Sequence, residues 1–282
     1  MITEAESAPD SAPRALFLGE GPNSARYLEG VLQTAYRVER VFNSEAFATR
    51  EEVKARLGEY SLFVLSDYNA RNLASPEHEL LVRCVEEGAG LLMIGGWSSF
   101  AGPRAGYRGT RIAEILPVDL LTDDDRYNTP LGTVLIGRRE PHPALHTVHN
   151  QEPCTVMGFN RVTARAEATV LVHGYALQIQ RERVQPHFTL AASLAGPRAG
   201  RASFMRVPVR ASLERLSTPM LTVWDWGRGR VGAFAPDVSP HWAGGIVDWG
   251  ERRVKLPTGA EIGHLYGAFL LDLCHWLSEK AT

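Results

Sequence analysis

The chain has 282 residues, of which 44% are hydrophobic and 22% charged, a composition that excludes a wholly disordered polypeptide and allows a sizeable buried core. Its 30 Lys and Arg residues against 32 Asp and Glu residues give a formal charge of -2, which argues against nucleic acid or an acidic membrane surface as a partner. Three widely separated cysteines, with no apolar leader and no long apolar stretch, favour a cytoplasmic protein without disulfides or membrane spans.

The first half of the chain alternates between apolar runs and amphipathic segments. Residues 1–13 are rich in Ser, Pro, Ala and acidic residues, so we predict a disordered tail there and a single domain over residues 14–282. Three apolar runs and the alternating segment at residues 36–42 predict strands, and the segments between them predict helices. The predicted strands are residues 15–18, 36–42, 62–65 and 90–94, and the predicted helices are residues 23–35, 50–57 and 75–88.

Most of these predicted strands are continuous apolar runs rather than segments that alternate between apolar and polar residues. Strands that are buried on both faces have this pattern, and they occur in parallel sheets covered by helices. We therefore predict an α/β fold of the flavodoxin-like type, with a doubly wound, mostly parallel sheet. In such a sheet the ligand lies beyond the carboxyl ends of the strands.

The second half of the chain has a different pattern. Polar loops are predicted at residues 122–130 and 140–144. Two strand-like segments, residues 220–226 and 230–235, flank Gly-Arg-Gly and predict a β-hairpin. Residues 265–277 are predicted to form an apolar terminal helix that docks on the sheet.

Residues 178–217 have a composition of their own and are predicted to be an insertion. This segment holds seven arginines and two glutamates, a local charge of +5 within a chain of net charge -2. One interpretation is a solvated surface segment. The other is an arm that docks an acidic partner or contacts another subunit of a homo-oligomer.

Polar residues and glycines follow the first, third and fourth predicted strands. Because the carboxyl ends of parallel strands meet at one edge of a sheet, we expect these residues to surround one crevice for a small polar ligand. The predicted ligand-binding residues at these strand ends are Glu20, Tyr68, Asn69, Gly95, Gly96, Trp97 and Ser98. Later loops are predicted to add Asp125, Arg126, His142, Asp237 and Trp242.

Asp67 and His241 are the predicted catalytic residues. A carboxylate at the end of the third strand could act as a general base or accept a hydrogen bond from a sugar hydroxyl, and the alternative is a turn or helix cap. Histidine serves acid–base chemistry, and the alternative for His241 is a hydrogen bond to its own loop. The amides of Gly95 and Gly96 could hold an anion or an oxyanion.

A metal site is a weaker alternative at the same edge. Asp237, His241 and Asp248 could together hold a metal ion for hydrolysis, but the DxxxH spacing alone is a weak signal. We therefore expect no metal and no other cofactor.

Several short motifs occur together along the chain. They are Leu91-Leu92-Met93-Ile94-Gly95-Gly96-Trp97-Ser98-Ser99-Phe100, Tyr107-Arg108, Ile115-Leu116-Pro117-Val118, Asp124-Asp125-Arg126, His142-Pro143, Gly158-Phe159-Asn160-Arg161, Gly227-Arg228-Gly229-Arg230-Val231 and Ala235-Pro236-Asp237-Val238-Ser239-Pro240-His241-Trp242. In this combination the chain resembles the glutamine amidotransferase-like family, whose relatives include the ThuA-like proteins of trehalose utilisation. The resemblance implies a class I glutamine amidotransferase-like fold.

The resemblance also implies a nucleophilic cysteine on the turn after the fourth strand, and this chain has none there. The turn reads Gly95-Gly96-Trp97-Ser98, while Cys84 lies in the preceding predicted helix. Ser98 lacks the GxSxG elbow that would activate it. The sequence therefore predicts a protein that binds or acts on a small polar ligand, such as a carbohydrate, without glutaminase activity. A non-catalytic assembly or regulatory module is the alternative.

Overall fold

The computed structural model describes residues 2–181 and 209–281, and within these ranges it describes every side chain except those of residues 2, 180, 181, 209, 210, 240 and 241. Fourteen strands form within these ranges. They are β1 (Ile2–Glu4), β2 (Arg14–Gly19), β3 (Arg37–Phe42), β4 (Tyr60–Ser66), β5 (Gly90–Ile94), β6 (Val118–Leu120), β7 (Arg126–Gly137), β8 (Cys154–Asn160), β9 (Val162–Ala164), β10 (Thr169–Arg181), β11 (Val209–Trp226), β12 (Gly229–Phe234), β13 (Arg253–Lys255) and β14 (Glu261–Gly263).

Six α-helices accompany these strands in the described ranges. They are α1 (Pro22–Gln33), α2 (Glu51–Lys54), α3 (Ser75–Glu86), α4 (Arg111–Ile115), α5 (Pro240–Ala243) and α6 (His264–Ser278). The predicted helices at residues 23–35, 75–88 and 265–277 are confirmed, whereas the one at residues 50–57 is reduced to the single turn of α2. Over residues 2–181 and 209–281, every helix is too short or too polar to span a bilayer.

A nine-stranded sheet forms the centre of the molecule. Its strand order is β3-β2-β4-β5-β12-β11-β10-β7-β8, and the first five of these strands are parallel while the others pair antiparallel. All four predicted strands of the first half of the chain lie in the parallel half of the sheet. The fold is therefore mixed α/β, with a parallel region extended by an antiparallel one.

Continuous burial explains why β2, β4 and β5 are apolar along most of their length, whereas the edge strand β3 is only partly buried. Phe17 of β2, Val64 of β4 and Leu92 of β5 are all 0% exposed. Helix α6 contacts β4, β5 and β12 on one side of this region. Gly90 permits this packing, because a Cβ atom there would lie 2.4 Å from the carbonyl oxygen of Leu277.

The antiparallel half contains the predicted hairpin and one departure from the prediction. Strands β11 and β12 pair from Leu221 with Phe234 to Trp226 with Gly229, which confirms the hairpin. Residues 126–130 belong to β7 rather than to the predicted polar loop at 122–130. The pairing of β7 with β8 shifts register between Asn128 and Thr133, next to Pro130, because proline cannot donate a ladder hydrogen bond.

The predicted tail and the predicted insertion each contain residues that form strands. Residues 2–4, within the predicted disordered tail, form β1 and pair in parallel with β13. Within the predicted insertion 178–217, residues 178–181 end β10 and residues 209–217 begin β11, and these strands form an antiparallel ribbon. Residues 182–208 lie outside the described residues.

Candidate functional site

Three acidic residues follow the carboxyl ends of parallel strands at one edge of the sheet. Glu20 comes directly after β2 and Asp67 directly after β4, while Asp237 comes three residues after β12. Glu20 and Asp67 are partly exposed, and Asp237 is 1% exposed. With Ser239, which lies between two of them, these residues form what we call the strand-end cluster.

Ser239 links two carboxyl groups of the strand-end cluster. Its hydroxyl donates a hydrogen bond to Oε1 of Glu20, and its backbone N–H donates to Oδ1 of Asp237 at 2.7 Å. Oε2 of Glu20 is buried and has no hydrogen-bond partner among the described residues. The guanidinium group of Arg40 donates to the backbone carbonyl of Glu20 and fixes the turn after β2.

The electrostatic environment favours protonated acids in this cluster. Burial raises the pKa of Glu20 to about 7, and the nearby charge of Asp67 also raises it, against the opposing effects of the Ser239 hydrogen bond and of Arg40. Burial likewise raises the pKa of Asp237 well above its usual range, with further repulsion from Glu20 and Asp67. A proton on Glu20 or Asp237 relieves this repulsion, as in other sites where carboxyl groups lie close together.

Asp67 occupies an unusual backbone conformation. Its φ angle is 54°, in the left-handed region that aspartate tolerates better than most residues. The turn is held by the backbone N–H of Ser98, which donates to Oδ1 of Asp67 at 2.6 Å, and by Oγ of Ser99, which accepts from the N–H of Asp67 at 3.1 Å. The carboxyl group is thus placed by the loop that follows β5.

Gly96 allows this close approach between the two loops. Its φ angle is 153°, and a Cβ atom built on it would lie 2.2 Å from Oδ1 of Asp67. Any larger residue would displace the carboxyl group. The need for glycine at this turn therefore has a steric origin.

A buried network behind the cluster fixes the Gly96 loop. Asn160, at the end of β8 and 0% exposed, accepts a hydrogen bond from the N–H of Gly96 at 2.7 Å and returns one to its carbonyl oxygen at 3.1 Å. Its Nδ2 also donates to Oδ1 of Asp125 at 2.6 Å, and the N–H of Ala101 donates to Oδ2 at 2.8 Å. Asp125 therefore supports this loop from the protein interior.

The pKa of Asp125 reflects two opposing influences. Burial raises it to about 6, while the hydrogen bonds from Asn160 and Ala101 lower it.

Neither Gly95 nor Gly96 offers its N–H to an anion in this arrangement. The N–H of Gly95 donates to Phe234 and Pro236 carbonyl oxygens at 2.8 and 3.0 Å, and that of Gly96 donates to Asn160.

Aromatic residues lie near this edge with different degrees of exposure. Trp97 is 44% exposed, and the guanidinium carbon of Arg126 lies 4.3 Å from the centre of its ring. Arg126 is held in turn by a salt bridge to Asp124 at 2.7 Å. Trp242 is 5% exposed and donates from Nε1 to Oδ1 of Asn128 at 2.8 Å. Trp97 is therefore the more accessible aromatic surface.

The remaining predicted site residues have structural contacts or lie elsewhere. Tyr68 is buried and its hydroxyl donates to the Glu45 carbonyl at 2.9 Å, while Asn69 caps the N-terminal end of a short 3-10 turn. His142 packs against Trp276 with ring centres 4.9 Å apart, near the last turn of α6, so it is not part of the strand-end cluster. The side chain of His241 lies outside the described residues.

The three cysteines lie on elements other than those that carry the strand-end cluster. Cys84 lies in α3, Cys154 begins β8 and Cys274 lies in α6, and burial raises the pKa of each thiol, to about 12 for Cys154 and Cys274. High pKa values leave little of the reactive thiolate. Among the described residues, no group of three or more His, Cys, Asp or Glu side chains has the geometry of a metal site.

Asn160 and Ser239 were not among the residues predicted to form the site. Both lie inside motifs that carry the family resemblance, which was the available signal. Their roles depend on partners far away in sequence, Gly96 for Asn160 and Glu20 for Ser239. No local pattern could have revealed these contacts.

The fold and this edge define an α/β protein with carboxyl groups at the ends of parallel strands. The family model described as "Putative glutamine amidotransferase" matches residues 23–176, more than half of the chain. The chain belongs to this glutamine amidotransferase-like family. No curated protein matches it at a significant level.

Solved structures with the same overall fold include two Salmonella proteins. Cytoplasmic protein STM3548 from Salmonella typhimurium is 21% identical with a TM-score of 0.67, over 95% of this chain and 100% of that one. Cytoplasmic protein STM1381 from Salmonella typhimurium LT2 is 22% identical with a TM-score of 0.62, over 94% and 99%. A ThuA-like protein from Bacteroides uniformis ATCC 8492 is 11% identical with a TM-score of 0.39, over 59% and 70%.

Proposed function

We propose that the protein binds a small, neutral, polyhydroxylated ligand, such as a carbohydrate, at the strand-end cluster, and that it does so without cysteine-dependent glutaminase chemistry. The observation that carries this proposal is the convergence of Glu20, Asp67 and Asp237 at one edge of the sheet. Ser239 joins two of these groups, and charge repulsion acts among all three.

The charge of the cluster favours a ligand that donates hydrogen bonds. Ionised carboxylates only accept hydrogen bonds, and sugar hydroxyls are neutral donors of suitable size. A phosphate or a carboxylate ligand would be repelled by Asp67 and by any ionised fraction of Glu20. The partly exposed ring of Trp97 adds an apolar face of the kind on which a sugar ring packs.

Glu20 is the group that we assign to proton transfer, should the bound ligand react. Its pKa of about 7 permits it to give up or take a proton near neutral pH, the condition that general acid–base catalysis requires. Asp67 and His241 remain the alternatives predicted from the sequence. Asp67 accepts a hydrogen bond from the N–H of Ser98, and its charge is near enough to raise the pKa of Glu20.

Calorimetric titration with neutral mono- and disaccharides tests the binding site. We expect binding to the unaltered protein, and at least about tenfold weaker binding to Glu20→Gln and Asp67→Asn variants, since each loses a charged hydrogen-bond acceptor. Glu251→Gln, which alters an exposed glutamate elsewhere, is the matched control and should bind normally. Equal affinity in all four proteins, or a preference for sugar phosphates, would contradict the proposal.

Ammonia release from glutamine tests the second part of the proposal. We expect no turnover, because the three thiols are buried or half-buried with raised pKa values and none follows β5. Turnover that persists when all three cysteines are replaced by alanine, but is lost in Ser98→Ala, would identify Ser98 as a nucleophile and overturn this part.

Two finer features of the fold belong to the same proposal. We infer that helices cover both faces of the parallel half of the sheet, as in a doubly wound, flavodoxin-like fold. Helices α1 and α6 contact each other and form one group, whereas α3 packs against α4 and β12 and forms a second group. We also infer that residues 14–282 make up one domain. Limited proteolysis that yields a stable fragment lacking either half of the nine-stranded sheet would contradict this inference.

A further inference from the structure

A cavity of about 260 Å³ lies in the antiparallel half of the molecule, between the sheet and helix α6. Strands β7, β8 and β10 supply one part of its lining, residues 145–153 a second part, and the segment around residues 246–249 with α6 a third. Its lining, drawn from the described residues, shares no member with the strand-end cluster. The cavity is thus separate from the site proposed above.

The inner wall of the cavity is mainly apolar, and His149, Asn150 and Gln151 are polar members of its lining. Trp249 donates from Nε1 to the carbonyl oxygen of Glu152 at 2.8 Å, which fixes its ring as part of the wall, 6.2 Å from the ring of Phe269. The buried apolar side chains that line it are Leu135, Leu145, Val148, Val172, Ile246 and Phe269. Water gains few hydrogen bonds along these apolar side chains, whereas the apolar part of a ligand fills the missing contacts.

The mouth of the cavity carries positive charge. Arg138 is partly exposed and Arg139 is exposed, and both line the cavity next to the end of β7. Glu140 neutralises one of these charges through a salt bridge to Arg138 at 3.2 Å. One net positive charge therefore remains at the mouth, where it can pair with a single anionic group.

The size of the cavity limits the apolar part of the ligand. Drug-sized ligands occupy pockets of about 300–1,000 Å³, whereas an apolar cavity of about 150 Å³ holds benzene. A volume of about 260 Å³ suits one aromatic ring with a short aliphatic chain. We propose that this cavity binds a small carboxylic acid whose apolar body enters between Trp249 and Val172 and whose carboxylate pairs with Arg138 and Arg139.

Calorimetric titration with 4-phenylbutyrate tests the proposal, with 4-phenylbutanol as the neutral comparison. We expect the acid to bind at least about tenfold more tightly than the alcohol, because only the acid forms charge-assisted hydrogen bonds with arginine. The double variant Arg138→Gln/Arg139→Gln should lose this preference and bind the acid about as weakly as the alcohol. Arg83→Gln, which alters an exposed arginine in α3, should behave as the unaltered protein.

A second variant tests the apolar part of the site. Val148→Trp places an indole ring at a buried position of the cavity wall, so we expect it to abolish binding of both probes. Should this variant fail to fold, the arginine variants still decide the matter, because their side chains lie at the surface. Absence of binding of the acid, equal affinity for acid and alcohol, or equal acid affinity in the arginine double variant and in Arg83→Gln would overturn the proposal.

Discussion

Replacing Asn160 by alanine should destabilise the protein more than any surface substitution, because this residue joins two loops in the interior. The change removes the acceptor of the Gly96 N–H at 2.7 Å, the donor to the Gly96 carbonyl at 3.1 Å and the donor to Asp125 at 2.6 Å. Asn160 is 0% exposed, so water cannot readily replace these partners.

The expected loss follows from the groups left without a partner. A buried polar group without a hydrogen bond costs about 1–3 kcal/mol, more for a charged one. Asp125 keeps the N–H of Ala101 as a donor and can take up a proton, which limits its contribution to the loss of stability. We therefore expect the free energy of unfolding to fall by about 3–5 kcal/mol, a large part of the roughly 5–15 kcal/mol typical of a folded domain.

Urea denaturation followed by tryptophan fluorescence measures this difference. Since Asn160 stabilises the ionised form of Asp125, its loss should raise the pKa of Asp125 further, and the destabilisation should be larger at about pH 8 than at about pH 5. Asn128→Ala, which removes one exposed acceptor for Trp242, is the control and should cost about 1 kcal/mol. A loss in Asn160→Ala no larger than in the control would refute the assigned role.

Further predictions concern the cluster and the thiols. Glu20→Gln should flatten the pH dependence of stability, as denaturation at several pH values will show. The folded pKa of Glu20, about 7, exceeds the ordinary 4.5, so the stability that this group contributes below about pH 4.5 is lost as the pH rises through 7, and the variant lacks that part of the loss. Gly96→Ala should lower the free energy of unfolding by about 2–4 kcal/mol, because the new Cβ atom would collide with Asp67. Gly58→Ala, which has open space around its Cβ position, should lower it far less in the same assay. A thiol reagent should modify Cys84 in the folded protein and the two buried cysteines only on unfolding; mass spectrometry showing all three modified together would contradict the described burial.

The parallel half of the sheet was predictable because its signal is local. Runs such as residues 15–18 and 62–65 are apolar along their whole length, and burial on both faces requires that composition. Strand β7 was missed because Pro130 and Gly132 interrupt it, and those residues normally mark turns. Its pairing with β8 tolerates them through a shift in register.

The site was predictable only as a location. The position of Glu20 and Asp67 follows from the rule that parallel strands end at a common edge. The rule does not extend to His142, which lies in a later loop and packs on Trp276 near the last turn of α6. Contacts between distant residues, such as that of Ser239 with Glu20, depend on the completed fold and have no signature in the local sequence.

A crystal structure of the protein with the tightest-binding neutral sugar would test the central claim most directly. The account predicts hydroxyl oxygens of the sugar within hydrogen-bond distance of the carboxyl groups of Glu20 and Asp67. Sugar bound at another surface, with both carboxyl groups in contact only with protein and water, would contradict it.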